Sequence, residues 1–321
     1  MLWILGASDP EMERIEQVLS RAGERLVYGM DETRKRVAPS SAYRVSSVSD
    51  PDLLRRTLEG ASSIYLVECD VAEAPEDPAL SRLGEGGRNV YRIDHHRPGD
   101  PGYGRPPAEF LAASAIGQVI SVLASLGTHP DGSRCDEAVY GSKTHDDFLF
   151  QEGRWFVWVT QIDSPDGGHY VLVPEDYVFA AAADQCLAAA YRGECPGVDP
   201  DDLMEWRIAV RASFQQIPEN ELMALVRAAM EALEEAPKIK FAGVSVADMR
   251  ERQIPEIPEA SARLGIPFLG RVKDPRGGMK TVLQSAPPEA VQAFLNGEGF
   301  AGKLVRRYGD PARGFAGGFE V

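Results

Sequence analysis

Leu2-Trp3-Ile4-Leu5-Gly6-Ala7-Ser8-Asp9-Pro10-Glu11 reads as a buried strand that ends in small residues and runs straight into a helix. A short apolar run bounded by glycine fits a strand covered on both faces. Ser8 with Glu11 makes a capping box, and Pro10 suits a first helical turn. Met12, Ile15, Val18, Leu19 and Ala22 then recur at helical spacing until Gly23 closes the segment. The alternation continues with strands expected over 25–28, 64–67 and 89–93 and a short helix over 52–58. Strands separated by helices predict an α/β fold built on a mainly parallel sheet. Such sheets collect ligands at the carboxyl ends of their strands. Asp9, Glu68, Asp70 and Asp94 all fall at those ends.

Further along, a long helix is expected over 108–126, followed by an insertion over about 129–174. The insertion contains a hairpin with arms at 154–162 and 169–173, turning on Ser164-Pro165-Asp166-Gly167-Gly168. An almost wholly apolar helix covers 177–191, and two helices over 199–213 and 220–235 meet at Pro218. The strand pattern restarts over 240–246. At 321 residues the chain exceeds the size at which one hydrophobic core usually stops growing. The reading is therefore a first domain over 1–198, a helical connector over 199–236 and a smaller α/β domain over 237–321.

The composition, 44% hydrophobic and 26% charged, excludes disordered and collagen-like classes. A net charge of −15 counts against a protein that wraps long nucleic acid by neutralising phosphates. Residues 236–321 carry 13 Lys/Arg against 9 Asp/Glu, a balance of +4 that leaves −19 on the rest of the −15 total. An acidic region beside a basic one suits metal ions on one side and substrate phosphates on the other. Four cysteines without a CxxC read as free thiols in a reducing compartment. Cys135 with His129 and His145 matches no zinc module. The longest apolar stretch, 110–126, is interrupted by Ser114, Gln118, Ser121 and Ser125 and is short for a membrane span. No targeting segment is read, so a cytoplasmic protein without membrane partners is expected.

The sharpest local feature is Ile93-Asp94-His95-His96-Arg97-Pro98-Gly99. One carboxylate and two imidazoles in a turn after a strand form the mixed oxygen and nitrogen donor set that Mn²⁺ and similar ions accept. Asp184 is the only charged residue between Tyr177 and Tyr191. A helix apolar all round is buried, and a buried carboxylate needs a partner.

Taken in order, Asp9-Pro10-Glu11, Glu68-Cys69-Asp70, Asp94-His95-His96 and the helical Asp184 resemble the DHH phosphoesterase superfamily. The resemblance implies a DHH domain and a smaller C-terminal DHHA1-type domain across a cleft. It implies Asp9, Glu11, Asp94, His95 and Asp184 as metal ligands. Glu68 or Asp70 joins them, the strand alignment favouring Glu68 and residue type favouring Asp70. Asp94, His95 and His96 are the implied catalytic group, and Arg97 an implied substrate contact. The run Tyr308-Gly309-Asp310-Pro311-Ala312-Arg313-Gly314-Phe315-Ala316-Gly317-Gly318 resembles the family's glycine-rich loop, with Gly309, Arg313, Gly317 and Gly318 as substrate-binding residues. Departures stand at Ala7, Glu11 and Asp310, where the family pattern has His, Asp and His.

The implied activity is metal-dependent hydrolysis of phosphodiester or phosphomonoester bonds in small nucleotides or short oligonucleotides. Mn²⁺ is the first choice of ion, with Mg²⁺ or Co²⁺ as alternatives, and a homodimer is compatible with the pattern. Two other readings stand beside it: a nucleotide-binding regulator that has lost turnover, and a single-strand exonuclease component of a complex.

Overall fold

The opening strand and helix stand where their sequence places them: β1 is Leu2–Leu5, fully buried, and α1 is Pro10–Arg21. The computed structural model describes residues 1–60, 63–133, 148–160, 167–274 and 277–321. The chain divides into two units, one comprising 1–103 and 111–181, the other 104–110 and 182–321.

In the first unit, β2 (Leu26–Met30), β3 (Ser47–Val48), α2 (Pro51–Gly60), β4 (Ser63–Val67) and β5 (Asn89–Ile93) follow α1. They form a five-stranded sheet in the order β3-β2-β1-β4-β5. β1, β2, β4 and β5 run parallel, and β3 is an antiparallel edge. The chain reverses its direction of winding between β1 and β4, and such a switch point opens a crevice beyond the strand ends. One sheet face buries Leu2, Ile4, Ile64 and Leu66 against Leu54, Leu80 and Leu83. On the other, Trp3, Tyr65 and Tyr91 stack with ring centroids 4.3 and 5.1 Å apart.

The single helix expected over 108–126 is broken into α3 (Phe110–Ala113) and α4 (Ala115–Ser125). Ser114 leaves helical geometry and caps α4, its hydroxyl accepting from Gly117 N at 3.1 Å. Gly117 makes the break possible, since a Cβ there would sit 1.6 Å from the Leu111 carbonyl oxygen. Among the described residues the insertion holds three antiparallel strands, β6 (Phe148–Gln151), β7 (Arg154–Thr160) and β8 (Gly168–Leu172), so the expected hairpin gains a strand. Its turn residues Ser164 to Asp166, with Cys135 and His145, lie outside the described residues.

The apolar helix expected over 177–191 is likewise two, α5 (Glu175–Gln185) and α6 (Leu187–Tyr191), broken at Cys186. The second unit continues with α7 (Pro200–Gln215) and α8 (Glu219–Glu234). The strand expected over 240–246 is a hairpin, β9 (Lys238–Phe241) and β10 (Val244–Asp248). Ala242 and Gly243 both take positive φ, 47° and 80°, as a two-residue hairpin turn demands. After these come α9 (Ile257–Leu264), β11 (Phe268–Lys273), β12 (Met279–Gln284), α10 (Pro288–Asn296), β13 (Leu304–Asp310) and β14 (Phe315–Glu320). The six-stranded sheet has the order β13-β14-β12-β11-β10-β9 and is antiparallel except between β10 and β11. Phe241, Val246, Leu269, Leu283 and Phe294 form its core against α10.

A second polar feature lies inside this unit. Buried Glu259 on α9 receives Tyr191 Oη at 2.5 Å, Arg263 Nε at 2.8 Å and Arg207 Nε at 2.9 Å. Burial alone would raise this carboxyl, but Arg207, Tyr191 and Arg263 together hold it down to about 2.

Candidate metal centre

β4 and β5 pair in parallel register with Val67 opposite Ile93, so Glu68 and Asp94 leave the sheet side by side. Glu68 N donates to the Ile93 carbonyl at 2.9 Å, extending the ladder by one step. Glu68 then turns out of the sheet with φ +48°, left-handed backbone that costs a residue with a Cβ on the order of 1–3 kcal/mol. Gly6 at the end of β1 permits the turn, because a Cβ there would lie 2.4 Å from the Glu68 carbonyl oxygen.

The Glu68 carboxylate is buried and faces both histidines. Oε1 lies 3.3 Å from His95 Nε2 and 3.9 Å from His96 Nδ1. Glu68, His95 and His96 each offer a ligand atom within 4.8 Å of the others, close enough for one ion. His95 is wholly buried, whereas His96 reaches solvent.

Asp94 is fully buried and organises the turn. Its Oδ1 accepts from the backbone N of His95 and His96 at 2.7 and 3.0 Å, from His96 Nδ1 at 2.8 Å and from Tyr43 Oη at 3.2 Å. Burial on its own would raise the Asp94 carboxyl, but the His96 hydrogen bond and charge bring it below the usual carboxylate range. The Tyr43 phenol is pushed far above its ordinary value by burial and by the Asp94 charge, which keeps it a donor. With Nδ1 held against Asp94, Nε2 is the ring nitrogen left for a metal, the arrangement that carboxylate–histidine–metal triads use. Asp94 Oδ2 is buried without a hydrogen-bond partner among the described residues, an oxygen that a nearby cation would stabilise.

Three residues that sequence reasoning did not select hold this turn. Gln118 on α4 donates to the Asp94 and Ala113 carbonyls at 3.1 and 2.8 Å and accepts from Asp94 N at 3.3 Å. Gly102 packs so closely that a Cβ would stand 1.9 Å from the Ala113 oxygen and 2.6 Å from His95 Cβ. Tyr43 lies under the Arg97 guanidinium, which stacks on its ring. The visible signal for Gln118 was a lone amide in an otherwise apolar helix; Tyr43 and Gly102 left none.

The remaining candidates are placed differently. Asp9, not Ser8, caps α1, its Oδ1 accepting from Met12 N at 2.7 Å. Glu11 is buried and its Oε1 accepts from Ile116 N at 2.9 Å, at the amino end of α4, where the helix dipole favours an anion. Asp70 pairs with Arg92, so of the two acids after β4 it is Glu68 that meets the histidines. Arg97 is exposed beside the turn, its N bound to Asp100 Oδ2 at 2.8 Å.

In the second unit, Asp184 occupies the last turn of α5, and Arg313 Nη2 donates to its carbonyl at 2.8 Å while lying 3.6 Å from its carboxylate. The glycine-rich run is not an open loop but the β13–β14 hairpin, turning over 311–314. Gly317 and Gly318 are strand residues whose missing Cβ atoms make room for the Tyr308 ring and Leu304 Cβ, at 2.7 and 2.9 Å. Gly309 likewise admits the Phe315 carbonyl, which a Cβ would meet at 2.4 Å. Asp310 ties the turn, its carboxylate accepting from Ala312 N at 2.8 Å and Gly104 N at 2.9 Å.

The structure thus defines an α/β protein whose parallel sheet carries a carboxylate and two imidazoles at the carboxyl ends of β4 and β5, a set able to hold a divalent cation. Compared with protein-family models and with curated proteins, the chain matches none. Among the described residues no single helix is long and apolar enough to cross a membrane.

Proposed function

We propose that the protein is a metal-dependent phosphoesterase that hydrolyses small nucleotides or short oligonucleotides. The observation that carries this reading is the convergence of Glu68, His95 and His96 donor atoms within 4.8 Å at the carboxyl ends of adjacent parallel strands. The donors suit Mn²⁺, with Mg²⁺ or Co²⁺ as alternatives. The sequence correspondence with DHH phosphoesterases assigns Asp184 as a further ligand, and this remains part of the proposal. A bound divalent ion would supply the charge that polarises a phosphoryl oxygen and the acidity that activates water.

The protein's own groups have separate tasks in this scheme. Glu68 and His95 bind the ion. Asp94 accepts from His96 Nδ1 and holds that ring beside Glu68. Arg97, stacked on Tyr43, presents its guanidinium edge to a phosphate, for which its paired donors are shaped. Glu11 stays outside this scheme because its carboxylate serves α4, so the reading is of a single ion at Glu68, His95 and His96.

That same placement favours a second reading, a nucleotide-binding protein without turnover, since Asp9 and Glu11 are both engaged at helix ends. Mn²⁺-dependent release of a chromogenic leaving group from a phosphodiester separates the two. Turnover that is lost in His95→Ala supports the enzyme. Nucleotide binding with no turnover at any divalent ion supports the regulator.

A further inference from the structure

Two of the buried thiols in the second unit lie against each other. Cys186 Sγ and Cys195 Sγ are 2.9 Å apart, and both cysteines are reduced. Cys186 caps α6 after the break from α5, and its N donates to the Ala182 carbonyl at 3.1 Å. The chain then makes the single short helix α6 and a turn through Arg192-Gly193-Glu194 before Cys195. Gly193 takes φ +73°, which lets the chain fold back so soon. The two sulfurs need to approach by only about 0.9 Å to reach the bonded separation of a disulfide.

Their access differs. Cys186 lines a cavity of about 840 Å³ that lies within the second unit, bounded also by Arg192, Pro267, Ala286, Pro311 and Arg313. Cys195 is 2% exposed and is not part of that wall. The remaining described thiol, Cys69, is buried in the first unit and donates to the Ile4 carbonyl at 3.3 Å.

We propose that Cys186 and Cys195 form a modification site for small hydroperoxides, with Cys186 as the reacting thiol and Cys195 as the resolving one. Cys186 Sγ attacks one peroxide oxygen, the O–O bond breaks, and the cysteine becomes a sulfenic acid as one water, or the alcohol of an organic peroxide, departs. Cys195 Sγ then attacks the sulfenic sulfur, the S–O bond breaks and water leaves with the thiol proton. Two thiols have lost two electrons and two protons, and the peroxide has gained both pairs. The bond would fasten the end of α5, which carries Asp184, to the turn beyond α6. A thiol reductant reverses it by exchange.

The test uses the full-length protein exposed to hydrogen peroxide, followed by non-reducing peptide mapping. The expected product is a single Cys186–Cys195 cross-link that a dithiol reductant removes. In Cys195→Ser the reaction should stop at the sulfenic acid and dimedone should label residue 186. In Cys186→Ser neither cross-link nor dimedone adduct at Cys195 should form. Circular dichroism identical to that of the unmodified protein guards against misfolded variants. Oxidation that spares this pair while reaching Cys69 or Cys135, or dimedone labelling of Cys195 first, overturns the assignment.

Discussion

Asp94 Oδ1 and His96 Nδ1 lie 2.8 Å apart, and the same oxygen also binds the backbone N of both histidines. One atom thereby fixes the turn, the ring orientation and the tautomer. Replacing the charged acceptor with a neutral amide of the same size, which keeps one accepting oxygen but loses the charge, should loosen all three. Asp94→Asn is therefore expected to weaken Mn²⁺ binding by roughly tenfold to a hundredfold, the range found when an outer partner of a ligating histidine is lost. Calorimetric titration of Mn²⁺ measures it. An unchanged affinity would show that Asp94 only shapes the loop.

The two acids after β4 can be separated in the same way. Glu68 faces the histidines and Asp70 faces Arg92. Glu68→Gln should cost at least roughly tenfold in Mn²⁺ affinity, whereas Asp70→Asn should leave it close to the parent value. The reverse pattern would move the site to Asp70 and Arg92.

Stability in acid should report Glu259. Its carboxyl sits at about 2 in the folded protein against 4.5 in the unfolded chain, with burial opposing and Arg207, Tyr191 and Arg263 producing the depression. A depressed carboxyl contributes stability that is complete above the unfolded value and fades as pH falls from 4.5 towards 2. The size is about 3 kcal/mol, at ~1.4 kcal/mol per pH unit. Urea unfolding between those pH values should show the decline, and Glu259→Gln should flatten it. At neutral pH the variant should also lose about 3–5 kcal/mol, because Arg207 and Arg263 keep their charge without the carboxylate they share. A pH profile shared by parent and variant would contradict this.

How much of this was legible in the sequence depends on distance along the chain. The β1–α1 unit and the strand before Asp94 were readable because period and punctuation are local. Asp-His-His was visible because its members are adjacent. The helix breaks at Ser114 and Cys186 were hidden, since a single small residue inside an apolar run does not announce a bend that close packing at Gly117 demands. Glu68 could not be chosen over Asp70 until the Val67–Ile93 register was fixed. Glu11 looked like part of an acidic pair, and only the fold brings the amino end of α4 to it. Tyr43 meets Asp94 across 51 residues, a relationship that no spacing rule encodes.

The proposed centre requires imidazole nitrogen to bind a metal. Electron spin-echo spectroscopy of the Mn²⁺-loaded protein reads directly bound nitrogen without requiring any substrate. The expected spectrum shows coupling to histidine nitrogen, reduced in His96→Ala and further reduced when His95 is also replaced by Ala. A bound Mn²⁺ with only oxygen around it, unchanged by either replacement, would contradict the assignment of Glu68, His95 and His96 as the metal centre.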